Sequence, residues 1–239
     1  TWARAVTAAT IPAANTLRVT SAGHGLAVNE KVALSGLMGL SKATGTFTVT
    51  AITATTFDVT ATGVTGTYTS GGTIAQAIDW LGTDENTGNV KSGAATIATF
   101  TDVHNLVGGG GVDSFTMRTM GNNVARFGSI DGGLGRDTLM ADTNINSTFR
   151  GTDGNDGVFS IPTGPMSPNS TNFTSIQNFV GGNGNDRFDL SQLDYNDFLS
   201  GAAANFAISG GGGSGDLVAY GAFFKAGNPG LRDVLFVNN

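Results

Sequence analysis

Three nine-residue stretches follow the pattern Gly-Gly-x-Gly-x-Asp-x-(Leu/Phe)-x: GGGGVDSFT from Gly108, GGLGRDTLM from Gly132 and GGNGNDRFD from Gly181. They restrict the fold more than any other feature of the chain. Glycine admits positive φ in a tight turn, the Asp hangs a carboxylate on that turn, and the next apolar residue enters a core. Such a unit describes one corner of a β-solenoid.

The turns sit in a longer repeat. FTDVHNLVGGGGVDSF (Phe100 to Phe115) and FTSIQNFVGGNGNDRF (Phe173 to Phe188) agree at most positions, with an offset of 173 − 100 = 73 residues. Weaker Gly-turn-Asp copies occur as GTDENTG from Gly82, GTDGNDGVF from Gly151, GGGSGDLVAY from Gly211 and PGLRDVLF from Pro229. Taking Asp84, Asp113, Asp137, Asp156, Asp186 and Asp216 as equivalent corners gives steps of 29, 24, 19, 30 and 30 residues. A solenoid coil has a period of roughly 20–30 residues, and Asp233 would mark a last, shorter rung. Ser114 to Met117, Thr138 to Met140, Arg187 to Leu190 and Leu217 to Tyr220 alternate polar and apolar residues as strands do. Helical periodicity is nearly absent, and Leu190 to Leu199 is the one stretch that suits a short helix or loop.

The N-terminal third has another texture. From Thr7 to Ile74 it is rich in Thr, Val and Ala, with strand-like runs at Thr16–Thr20, Lys31–Leu34, Gly45–Ile52 and Thr56–Thr60 separated by glycine-bearing turns. Short strands with turns between them imply a small β-barrel or sandwich. The expected organisation is therefore all-β: a barrel or sandwich over residues 1–76, then a parallel, glycine-rich β-solenoid over residues 77–239.

Composition narrows the function classes. Thirty-seven glycines suggest disorder, but 39% hydrophobic residues, including 15 Phe, supply enough apolar area to offset chain entropy. Phe100, Phe115, Phe173, Phe179 and Phe188 are expected to stack along the solenoid interior, and Trp80 to plug the module junction. With no cysteine, disulfides and thiolate metal sites are excluded, which is compatible with an exported protein. A net charge of −6 with few Lys and Arg excludes a basic nucleic-acid surface. No run approaches the ~20 apolar residues of a membrane-spanning helix, so membrane insertion is not expected.

Stacked Asp corners have an electrostatic consequence. Unit charges about 5 Å apart, near the strand spacing, repel by about 1 kcal/mol in bulk water and by more at a partly dry edge. A hard cation relieves this, and Ca2+ takes six to eight oxygens at flexible angles. The candidate ligands are Asp113, Asp137, Asp156 and Asp186, with turn carbonyls around Gly109, Gly111, Gly133, Gly135, Gly182 and Gly184, and with Asp153 and Asn183 beside them. The alternative is that each Asp hydrogen-bonds its own turn amides.

The nonapeptides resemble the calcium-binding repeats of RTX-type proteins, although here they are isolated rather than head to tail. The pattern FT-x-(V/I)-x-N-(L/F)-x-GG-x-G-x-D-x-F, followed by G-x-IDGG-x-G-x-DTL, is similar to the strand repeats of large secreted bacterial surface proteins over about Ala77 to Leu190. That resemblance implies an extracellular location and marks Gly108, Gly109, Gly111 and Asp113, then Gly132, Gly133, Gly135 and Asp137, then Gly181, Gly182, Gly184 and Asp186 as turn and calcium positions. SAGHGLAVNEKVALSGLMG followed by GTFTVTAITATTFDV resembles the small FCCH-like β domain of phage tail and other structural proteins.

Catalysis has little material. His24 and His104 are the only histidines, and in the sister copy Gln177 stands where His104 does. A glycan-cleaving enzyme would draw on Asp142, Asp189, Asp194 and Asp197 as paired carboxylates. The expectation is instead a non-enzymatic extracellular structural protein that polymerises with copies of itself, because solenoid ends are sticky unless capped and the apolar strand Val234 to Val237 ends the chain. Alternatives are a calcium-binding adhesin for a cell-surface glycan or protein, and a phage tail or fibre component.

Overall fold

The computed structural model describes residues 3–120, 123–142, 146–153, 155–161, 169–193 and 207–220. Within them every regular element is a β-strand. The expected helix or loop after Leu190, the Asp194 and Asp197 carboxylates, Asp233 and the Val234 to Val237 strand lie wholly or mostly outside the described residues.

Nine strands precede Ala77: β1 (Ala3–Ala5), β2 (Ala8–Ala13), β3 (Thr16–Thr20), β4 (Lys31–Ser35), β5 (Met38–Ser41), β6 (Gly45–Ile52), β7 (Thr56–Thr60), β8 (Thr65–Ser70) and β9 (Thr73–Gln76). Seven form one antiparallel sheet in the order β1-β9-β4-β6-β7-β3-β2, and β5 pairs with β8. Alternation decides their faces. Leu17 and Val19, Val32 and Leu34, and Phe57 and Val59 all point into one core with Ile74. On the outer face Arg18 pairs with its register partner Asp58 through two contacts of 2.7 Å.

From Ile78 the chain runs through two copies of one arrangement. The first is an antiparallel meander, β10 (Ile78–Asp84), β11 (Thr87–Ser92) and β12 (Ala95–Phe100), followed by β13 (Asn105–Val107), β14 (Asp113–Met120), β15 (Asn123–Val124), β16 (Ser129–Asp131) and β17 (Thr138–Asp142). The second is the meander β18 (Thr148–Asp153), β19 (Asp156–Ile161) and β20 (Asn169–Thr174), followed by β21 (Asn178–Val180), β22 (Arg187–Leu190), β23 (Ala207–Ser209) and β24 (Leu217–Tyr220). Apart from the short β15, these strands make two mixed sheets, ordered β12-β11-β10-β14-β17-β21-β23 and β13-β16-β20-β19-β18-β22-β24. Strands linked by the glycine turns pair in parallel with their successors: β14 with β17, β17 with β21, β13 with β16, and β22 with β24.

The copies agree in detail. Trp80 of β10 lies opposite Phe115 of β14 and stacks on it at 6.0 Å and 10°; Phe149 of β18 lies opposite Phe188 of β22 and stacks at 5.0 Å and 8°. In each meander a glycine, Gly88 or Gly157, leaves its face open to a ring, Phe100 or Phe173. Trp80 packs on the second core, and Phe115, Phe173, Phe179 and Phe188 are each at most 2% exposed, as expected of interior rings.

One expectation is corrected here. Asp84 and Asp156 are not corners of the parallel stacks: they lie at the tips of the antiparallel hairpins β10–β11 and β18–β19, each carrying a register shift. GTDENTG and GTDGNDG read like the corners because a bulged hairpin also needs Gly, Asn and Asp for its special dihedrals. The expected series of six Asp corners therefore resolves into hairpin tips and two separate stacks.

Phe149 joins the Phe159, Phe179 and Phe188 rings at centroid distances of 4.9, 5.6 and 5.0 Å. Phe149→Ala should cost about 3–5 kcal/mol, measured by denaturant unfolding; a loss below about 1 kcal/mol would contradict an aromatic core of this kind.

Candidate functional site

The glycine turns lie directly on one another in two stacks. In the first, the turn at 132–135 sits on the turn at 108–111, with the Leu134 N–H donating to the Gly109 carbonyl at 2.6 Å. Gly133 (φ 84°) and Gly135 (φ 132°) require glycine twice over, since their φ is left-handed and a Cβ would run into the Gly109 and Gly111 carbonyls. In the second, Gly212 N–H donates to the Gly182 carbonyl at 2.7 Å, and the Gly184 carbonyl faces Gly213 in the same close manner.

The first glycine of each motif has a separate purpose. Its N–H donates to the adjacent strand, from Gly108 to Asp131 O (2.8 Å), from Gly132 to Thr174 O (3.0 Å) and from Gly181 to Ser209 O (2.9 Å). Its bare Cα accommodates the carboxylate five residues later: a Cβ would fall 2.6 Å from Asp113 Oδ2 at Gly108 and 2.7 Å from Asp137 Oδ2 at Gly132. The Gly-to-Asp spacing of the nonapeptide is thus a packing contact.

The carboxylates turn inward and tie the rungs together. Asp137 Oδ1 accepts the Asp113 N–H at 2.8 Å, and Gln177 Oε1 accepts the Asp137 N–H at 2.7 Å. In the second stack Asp216 Oδ1 accepts the Asp186 N–H at 2.8 Å, while Asp186 Oδ1 accepts the Ser147 N–H at 2.7 Å and its hydroxyl at 2.6 Å. Asp113 and Asp137 are fully buried and Asp186 is 1% exposed. Asp137 Oδ2, Asp186 Oδ2 and both Asp113 oxygens are enclosed without a hydrogen-bond partner.

Burial pushes the Asp113 carboxyl up to about 7; the nearby Ile78 amide opposes the rise without closing a full hydrogen bond, and the charge of Asp79 adds to it. Burial likewise pushes Asp137 up to about 7, against the Asp113 amide and with the charges of Asp113 and Asp131. Desolvation penalises the charged form of a carboxyl, so these groups favour a proton in the fold.

The remaining candidates are elsewhere. Asp156 accepts the Ser175 N–H at 3.0 Å from its hairpin tip, opposite Asp153. Asn183 belongs to the second turn stack, beside Gly212. Asp142 pairs with Arg118 at 2.5 Å and Asp189 with Arg187 at 3.2 Å. His24 is buried between the Leu26 N–H and the Thr53 carbonyl, and His104 is exposed just before β13. A cavity lined by Phe149, Phe173, Phe179, Phe188 and Ile208 holds about 10 Å³, room for a single water and no organic ligand.

Calcium requires six to eight oxygens. Here the Gly109 and Gly182 carbonyls accept turn amides, Asp137 and Asp186 spend Oδ1 on the neighbouring rung, and no group of three acidic or His side chains converges among the described residues. Asp156 is at a hairpin tip and accepts the Ser175 N–H of the turn that adjoins the 132–135 turn.

Gln177 and Ser147 belong to the ladders although neither lies in a nonapeptide. A signal for Ser147 exists in the sequence: Ser147-Thr148-Phe149 matches Asp113-Ser114-Phe115 and Asp186-Arg187-Phe188, a polar residue two positions before a core ring.

Because the folded-state carboxyls of Asp113 and Asp137 lie near 7 against an ordinary 3.8, the fold binds protons that the unfolded chain releases between those values. Stability should rise as pH falls from about 8 towards 4 and level off below. Asp137→Asn, which keeps the acceptor and removes the charge, should flatten that slope; Asp137→Ala, which orphans the Asp113 amide, should cost about 1–3 kcal/mol at any pH. Denaturant unfolding across pH measures both, and stability that falls on acidification through this range would contradict the assignment. No family model matches the chain, and no curated protein matches it either.

Proposed function

We propose that this chain is a secreted, non-enzymatic structural protein that assembles into a filament, sheath or surface layer. In this reading residues 1–76 form a small β-barrel or sandwich module and residues 77–239 a parallel β-solenoid resembling those of bacterial surface proteins. The observation that carries it is the use of the polar residues. Asp113, Asp137 and Asp186 are buried, the Asp137, Asp186 and Asp216 carboxylates hold one rung to the next, and the motif glycines seat one turn on another.

A protein built for chemistry exposes its convergent polar groups in a concave site. Here the convergent groups face inward, Asp142 and Asp189 are occupied by arginines, and the two histidines stand apart. Repetition of a single docking geometry supports a scaffold, since each turn accepts the next through the same contacts. Calcium has a secondary place in this reading, because a raised proton affinity at Asp113 and Asp137 and amide donors to Asp137 and Asp186 already relieve these buried carboxylates.

Negative-stain microscopy and light scattering of the purified chain, with millimolar Ca2+ and then with excess chelator, test the proposal. Ordered polymers in both conditions are expected. A monomer in both would overturn the assembly reading; polymers that dissolve in chelator would keep assembly and return the Asp stacks to calcium.

A further inference from the structure

The internal repeat supplies a template for contact between molecules. Within the chain the second copy docks on the first through two parallel pairings. In one, β16 lies along β20, with Ser129, Ile130 and Asp131 opposite Asn172, Phe173 and Thr174. In the other, β17 lies along β21, with Thr138, Leu139 and Met140 opposite Asn178, Phe179 and Val180. The glycine turn joining β16 to β17 sits over the Ser175 turn between β20 and β21, where Gly132 N–H meets Thr174 O at 3.0 Å.

The counterparts of these four strands are at the two ends of the stack. β12 and β13 of the first copy correspond to β20 and β21, and each is the edge strand of its sheet among the described residues. β23 and β24 of the second copy correspond to β16 and β17, and they are the opposite edges of the two sheets. The strand that covers β20 inside the molecule thus has an equivalent, β23, whose far side has no described partner; β12 has the matching open side.

Burial marks the same four strands independently. Ile130 and Leu139, covered in the internal joint, are fully buried, whereas their counterparts Ile208 and Val218 are only partly buried. Phe173 is 2% exposed and its counterpart Phe100 is only partly buried. Three of the exposed large apolar residues fall on these edges: Ile97 of β12 (51%), Val107 of β13 (58%) and Leu217 of β24 (50%). None of the four edge segments, ATIATF, NLV, AIS and LVAY, carries a charge, although charge is the usual device that keeps an edge strand from pairing.

We infer that β23 and β24 of one molecule add in parallel to β12 and β13 of a second copy, repeating the internal joint. The register follows from the template: Ala207, Ile208 and Ser209 opposite Thr99, Phe100 and Thr101, and Leu217, Val218 and Ala219 opposite Asn105, Leu106 and Val107. His104 then takes the place that Gln177 holds beside Asp137, with Asp216 as its neighbour. The contact is heterologous, so each molecule keeps one free end of each kind and the assembly grows. This rests on the assembly reading above and names its joint.

The chain has no cysteine, so cross-linking has no background. Ala207→Cys and Thr99→Cys variants, both at exposed strand positions, are mixed under oxidising conditions, alongside each variant alone. The joint predicts a disulfide-linked dimer in the mixture and none in either variant alone. It also predicts that Val107→Lys, at an exposed position, abolishes polymers while leaving the thermal unfolding midpoint of the monomer unchanged. Wild-type polymers without the mixed cross-link, or with Thr99→Cys linking to itself, would overturn this joint and leave the assembly reading standing. An absence of wild-type polymers together with an absence of cross-links would overturn both.

Discussion

A carboxylate that accepts the backbone amide of the next rung is the contact on which the C-terminal two thirds of this molecule depend. It is made by Asp137 towards Asp113 and by Asp216 towards Asp186, and Gln177 and Ser147 extend it. A carboxylate in this position is costly to desolvate, and the cost is limited by a hydrogen bond on one oxygen and, at Asp137, by a raised affinity for protons. The glycine five residues earlier is the steric condition for it. Any side chain at Gly108 or Gly132 would occupy the space of the Asp oxygen, so the glycine-rich look of the motif follows from the carboxylate as much as from the turn.

Around that contact the hydrophobic layer repeats on the same period. Each polar residue of the ladder stands two residues before a ring or a branched side chain, so ladder and core are set in register together: Asp113 with Phe115, Asp137 with Leu139, Ser147 with Phe149, Asp186 with Phe188. The rings then stack between rungs, Trp80 on Phe115 and Phe149 on Phe188. An arrangement in which every rung meets its neighbour through one set of contacts has no intrinsic end, and that property links the internal fold to the proposed role in assembly.

Much of the all-β texture was legible in the chain. The runs Thr16–Thr20, Gly45–Ile52 and Thr56–Thr60 are strands with those bounds, because period-two alternation between turn residues is a local signal. The 73-residue repeat, read from Phe100 and Phe173, correctly paired β12 with β20 and β13 with β21 as equivalents. Illegible were features that depend on which strand lies beside which. Asp84 and Asp156 share the corner vocabulary but close antiparallel hairpins. The inward direction of Asp113 and Asp137 also escaped local reading, since an Asp after a glycine turn is drawn to solvent by default and only the neighbouring amide reverses that. Gln177 entered the ladder through a partner 40 residues away, beyond any motif.

Amide hydrogen exchange, followed residue by residue in chelator and again with calcium added, addresses the ladder most directly. The account predicts that the Asp113 and Asp186 amides exchange as slowly as those of the core strands in chelator, and that calcium leaves them unchanged. Rapid exchange at both positions in chelator, with protection appearing only on addition of calcium, would contradict it.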